Sequence, residues 1–187
     1  MNRLQVADRS PMCSVDPVGR FPSVILTMDT YQRFADFTKS GAQYPSKAPS
    51  DVVYGLAALA GEYDVEASYV RYTSQGRETT WFGLWLVPPG LIHVSATYNE
   101  PNWTANRESN GGSRPPSAFT SWYRRVGDVK AIGINSIEGV ADGPGKQVVL
   151  HGQATLELVG VPQKLTITFG EPGSGGSELL AKLRDHL

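Results

Sequence analysis

At 187 residues the chain is long enough for one well-cored domain and short for two. Hydrophobic residues at 40% and charged residues at 19% exclude a disordered chain, and a net charge of -1 excludes a global pull toward nucleic acid or anionic lipid. Cys13 is the only cysteine, which excludes an intramolecular disulfide and suits a reducing compartment.

The N-terminus, Met1 to Asp8, lacks the apolar core of a signal peptide, and no window approaches a membrane-spanning length. The expectation is a soluble, cytoplasmic protein with no membrane span. Residues 1–22 carry prolines and charges without a period and are read as an extended arm; residues 23–187 are read as a single β-rich domain. Val24-Ile25-Leu26 is a candidate strand start. Asp29 as N-cap, Tyr31, Phe34, Ala35 and Phe37 at helical spacing, and Gly41 as a stop predict a helix near 29–40. Ser50 to Gly61 fits either a helix or a buried strand, and its alanines favour the helix.

From Glu62 the period changes to two. Tyr63, Val65, Ala67 and Tyr69 alternate with Asp64, Glu66, Ser68 and Val70, Ser74 to Arg77 reads as a turn, and Thr79 to Val87 is a dense apolar strand ended by Pro88-Pro89-Gly90. Leu91 to Tyr98 alternates again, with Ile92, Val94, Ala96 and Tyr98 on one face and His93, Ser95 and Thr97 on a polar face. The two runs predict an antiparallel hairpin. Asn99 to Ser117 is polar, rich in Asn, Gly and Pro, and aperiodic. Order resumes with Phe119, Trp122 and Tyr123 and a strand over Val129 to Ile134, followed by a turn at Asp142 to Gly145. Val148 to Val159 and Leu165 to Phe169 are two further strands. Ser177 is read as the cap of a terminal helix with Leu179, Leu180, Leu183 and Leu187 on one stripe.

The expected fold class is therefore mainly β (α+β). It is a bent antiparallel sheet or small open barrel with a C-terminal amphipathic helix and one or two N-terminal helices. Over residues 62–187 this order, with the Trp81 to Val87 run and the terminal leucine stripe, resembles the pleckstrin-homology-like barrel. The resemblance implies a strongly bent sheet plugged at one end by the last helix. Lipid-binding members carry basic residues in an early strand–strand loop; here Ser74 to Glu78 offers only Arg77, with Arg71 nearby, which argues against phosphoinositide binding.

His93, His151 and His186 are far apart and lack metal spacing, and Cys13 has no fixed base beside it. No nucleophile elbow or phosphate loop is present. The sequence predicts no cofactor, no metal site and no assignable catalytic set, so the reading leans away from an enzyme. The candidate partner-binding residues are Trp103, Arg107 and Arg114 in the aperiodic loop and Trp122, Tyr123, Arg124 and Arg125 after it, because Trp, Tyr and Arg dominate binding hot spots. The competing and weightier reading tucks Trp103 back onto the barrel and leaves the arginines solvated. The expected function is a non-enzymatic binding or adaptor module for a protein or peptide, with no nucleic-acid partner. The alternative is a small β-barrel holding an apolar or amphipathic ligand.

Overall fold

The computed structural model describes residues 26–41, 45–142 and 147–187. The expected N-terminal arm, most of the Val24 to Leu26 strand start and the turn at Gly143 to Gly145 lie outside the described residues. Helix α1 runs Met28–Asp36. Its N-cap is Thr27, whose hydroxyl accepts the Thr30 N–H at 3.2 Å, so the expected cap Asp29 sits in the first turn instead. The helix ends short of residue 40 because the next residues form β1 (Lys39–Ser40), which pairs with β2 (Ser46–Lys47). Helix α2 spans Ser50–Ala60, as the alanine content favours, and stops at Gly61, where φ is +58°. Ser50 does not cap it as expected: Pro49 is the N-cap, and the Glu108 carboxylate accepts both the Ser50 amide at 2.7 Å and the Ser50 hydroxyl at 2.6 Å. A carboxylate there satisfies an orphan helix N–H and complements the helix dipole.

The first sheet is a four-stranded antiparallel meander of β3 (Ala67–Gln75), β4 (Glu78–Val87), β5 (Gly90–Tyr98) and β6 (Ala118–Arg125). The expected β4–β5 hairpin is present, with Leu86 opposite Leu91. Residues 62–66, expected to open β3, instead carry the chain from α2 to the sheet edge, and Tyr63 is exposed. Both faces of the sheet are covered. Trp81, Trp85, Ile92, Val94 and Tyr98 pack beneath α1 and α2, while Ala67, Tyr69, Leu84, Leu86 and Leu91 form a second core. Burial on both sides explains why β4 reads as a near-continuous apolar run.

The second core is closed by a three-stranded antiparallel sheet and the terminal helix. The strands are β7 (Val129–Asp142), β8 (Gln147–Leu158) and β9 (Leu165–Phe169), followed by α4 (Gly176–His186). Leu156 and Ile167 of the sheet and Leu179 and Leu183 of α4 are fully buried there. The expected leucine stripe holds only in part, since Leu180 is half-buried and Leu187 is exposed. Ser177 is not the cap: Gly175 is, in a left-handed conformation that also lets the backbone approach Ser68, and the Ser177 hydroxyl accepts the Gly170 N–H at 2.9 Å. Tyr69 ties the sheets together by accepting the Thr168 N–H at 3.0 Å on its hydroxyl. Among the described residues the fold is mainly β with four α-helices, and its two larger sheets do not close into a barrel.

Candidate functional site

The aperiodic loop is more ordered than the sequence indicates. It contains α3 (Ala105–Gly111), whose Glu108 is the residue that closes α2. Trp103 precedes it and is only 3% exposed. Its backbone N–H donates to the Thr79 hydroxyl at 3.0 Å, and its carbonyl accepts the Trp81 indole N–H at 2.7 Å. Its ring lies 6.1 Å from that of Tyr98. Trp103 is therefore a core side chain, and its burial removes it as a protruding anchor. Arg114 lies over the Trp103 ring at 5.6 Å and is ion-paired to Glu100. Exposed Arg107 shares with these residues a shallow depression of about 350 Å³. Beside it, burial raises the Asp51 carboxyl above its ordinary range; the Tyr98 hydroxyl, donating at 3.3 Å, offsets this and Glu108 adds to it.

The remaining predicted residues lie elsewhere. Trp122 is half-buried in the second core with its ring 5.0 Å from that of His93, and Tyr123 is half-buried against the first core. Arg124 donates to the Tyr123 carbonyl at 3.2 Å, and exposed Arg125 opens the short 3-10 turn Val126–Asp128. Arg125 pairs with Gly90 at one end of β5, whereas Trp103 follows the other end at Tyr98. Five residues of strand from Trp122 (opposite His93) and eight from Arg125 (opposite Gly90), at roughly 3.3 Å each, hold the β6 set about 16–26 Å from the Tyr98 end. The structure brings Trp103, Arg107 and Arg114 together and leaves the β6 set as a separate group.

His93 corrects a further expectation. The alternation puts it on a polar face, but it is 5% exposed, between Phe82 at 4.8 Å and Trp122. Its Nδ1 lies 3.0 Å from the Gly83 carbonyl, which can only accept, so Nδ1 carries the proton. Burial lowers the His93 pKa, partly offset by that hydrogen bond. Among the described residues no cluster of three or more His, Cys, Asp or Glu side chains is placed to hold a metal ion, and no helix is long and apolar enough to cross a membrane.

A further solvent-exposed apolar surface lies where the sequence predicts strands but no site. β7 and β8 run far beyond β9, which pairs only with Gly152 to Leu156. The resulting arm exposes Ile134 (56%), Ile137 (59%), Val148 (65%) and Leu150 (52%). These four share one face. Register pairs Ile134 with Ala154, Ile137 with Gly152, Gly139 with Leu150 and Ala141 with Val148. Ala154 and its neighbour Leu156 on that face are fully buried, so the exposed face is a direct extension of the second core's surface. A register shift between Ile134 and Ser136 makes this possible: the extra residue returns Ile137 to the face of Ile134 although they are three apart. Where the arm leaves the body, Ile132, Ile134, Leu150, Phe169, Leu180 and Ala181 line an apolar groove of about 590 Å³, with Arg184 at its rim.

No family model, curated protein or solved structure matches this chain. The functional reading rests on its own surfaces.

Proposed function

We propose that the protein is a non-enzymatic binding module that engages a protein partner through the apolar face of the β7–β8 arm and the groove beneath α4. The observation that carries this is the run of four aliphatic side chains, each more than half exposed, on one face of a projecting hairpin. Contiguous apolar surface of this kind is costly in water and marks interaction sites. The alternative of a small-ligand barrel has less support, because Trp81, Trp85, Tyr69 and Tyr98 are packed tightly inside the two cores. The pleckstrin-homology-like assignment is supported only by element order, four strands then three strands then a helix. A cytoplasmic setting is supported only by the lone Cys13.

A photo-crosslinking residue placed in turn at Ile137, Arg107 and Arg125 tests the reading in cells of the native host. All three positions are exposed. Adducts are expected from position 137 and are expected to disappear when Leu150→Glu is added. Adducts confined to positions 107 or 125 would overturn the reading and restore the predicted loop or β6 surface as the site.

A further inference from the structure

The first sheet has one uncovered edge. β1 and α4 lie against β3 at one side of it, but β6 is the last strand at the other side and pairs only with β5. Every second residue of such an edge turns its N–H and C=O outward. Among the described residues, side chains bond the β6 backbone only at its far end, Arg124 at the Tyr123 carbonyl and Asp128 at the Arg125 N–H. Ala118 to Ser121 are exposed, and between Ala118 and Tyr123 the strand holds no proline, charge or bulge, the usual protections of an open edge.

Beside that edge lies an apolar trough. Phe119, Ser121 and Tyr123 stand opposite Ala96, Val94 and Ile92, so they share the sheet face that α2 covers. The Phe119 ring rests against Gly55, where a Cβ would come within 2.9 Å of its Cζ. Tyr54, Gly55, Ala58 and Leu59 of α2 line one side and Pro116 and Phe119 the other, flanking a volume of about 360 Å³. Asp51 is the one charged residue of the lining and stands at the α2 start. The Tyr98 hydroxyl donates to its Oδ2 at 3.3 Å. Among the described residues its Oδ1 accepts no hydrogen bond, and no lysine or arginine pairs with it. Burial raises the Asp51 carboxyl, and the Glu108 carboxylate raises it further. A half-buried anion of this kind is stabilised by a cation that brings its own apolar covering.

We propose that β6 pairs with an extended segment of a partner protein, and that a lysine of the segment lies along the trough with its ammonium on Asp51. The open edge selects an extended chain, because only that presents N–H and C=O groups at matching spacing. The trough selects the lysine. From Asp51 to Ala58 it follows seven residues of helix, about 10 Å, so the aliphatic stem covers the apolar walls while the charged head meets the one carboxylate. The exposed rings of Tyr54 and Phe119 flank that path. A carboxylate in the same place would oppose both Asp51 and Glu108. This surface is separate from the arm. It lies on the α2 side of the first sheet, whereas the arm continues the second core on the other side.

Heteronuclear NMR titration of the isotope-labelled full chain with the end-capped peptide Thr-Val-Thr-Lys-Thr-Val-Thr tests the proposal. The alternation puts the lysine and both valines on the α2 face when the peptide pairs with β6. Saturable binding tighter than about 1 mM is expected, with amide shifts in β6 and α2. Norleucine in place of the lysine keeps the stem and loses the charge, and is expected to weaken binding about tenfold. Methylation of alternate peptide nitrogens is expected to abolish it. Asp51→Asn is expected to remove the preference for lysine over norleucine, whereas Glu171→Gln, which neutralises an exposed carboxylate elsewhere, keeps it. Ala58→Trp, at an exposed position on the trough, is expected to remove binding of both peptides. Circular dichroism melts matching the wild type verify that the variants fold, and the norleucine and N-methyl peptides probe the same contacts on the unaltered chain. Absence of saturable binding by the lysine peptide overturns the proposal, as do shifts confined to the arm. Equal affinity for norleucine, full affinity after N-methylation, or an undiminished lysine preference in Asp51→Asn each overturns it as well.

Discussion

Gly83→Ala is the substitution that most directly tests how the first core holds its helices. Gly83 lies in β4 beneath the indole of Trp85, with an ordinary strand backbone, so alanine meets no conformational strain there. Space is the obstacle: a Cβ at this position would lie 1.9 Å from Trp85 Cη2 and 2.5 Å from both Cζ2 and Cζ3. The ring is fully buried and must move by on the order of 1.5 Å to restore van der Waals contact. Its N–H donates to the Phe37 carbonyl at 2.8 Å, the link between β4 and the end of α1, and that displacement breaks it. Overpacking contributes about 1–3 kcal/mol, and leaving the N–H of the buried Trp85 ring without its acceptor about 1–3 kcal/mol. The reduced freedom of the unfolded chain returns roughly 0.4–1 kcal/mol. The expected net loss is about 2–4 kcal/mol, which for a chain of this size lowers Tm by about 5–15 °C. Urea unfolding followed by far-ultraviolet circular dichroism measures it, and amide exchange should accelerate selectively in α1. A loss below about 0.5 kcal/mol would refute the argument, because it would mean the indole is free to move.

Two further outcomes follow from burial. Trp103→Ala is expected to cost about 3–5 kcal/mol as a large-to-small core change, whereas exposed Arg107→Ala stays within about 0.5 kcal/mol; equal, small effects on Tm would show that Trp103 is not core. Because burial lowers the His93 pKa, the unfolded chain binds the proton more readily, so stability is full above the unfolded value near 6.5 and falls as pH drops below it. The limiting slope is about 1.4 kcal/mol per pH unit, and His93→Gln should flatten it; an unchanged slope in the variant would place the titration elsewhere.

The strands whose side chains obey one period were legible in the sequence. Val94, Ala96 and Tyr98 alternate without interruption, and β4 and β5 pair as that alternation requires. β7 was legible only as far as Ile134, because the register shift at Asn135 breaks the alternation and makes the rest of the strand read as irregular. That break is why the arm went unseen: its apolar residues recur, but three apart at the decisive step. Trp103 misled for a different reason. Its sequence neighbours are polar, while the groups that enclose it, Thr79, Trp81 and Tyr98, come from strands 5 to 24 residues earlier. His93 likewise sits in an alternating strand whose second face looked solvent-facing until a second sheet and α4 covered part of it. Tertiary layering is not written in the period of any one strand.

The Glu108 carboxylate that closes the start of α2 also bears on how the chain acquires its structure. It lies 58 residues downstream of Ser50, beyond the first three strands of the first sheet. During synthesis, α2 leaves the ribosome with its leading amide groups open to water and keeps them so until β3, β4 and β5 have emerged and α3 has docked. Its eleven residues are too few to hold a lasting helix alone. The second helix in the sequence is thereby made one of the later elements to become permanent, and its completion reports that the sheet beneath it has already been assembled.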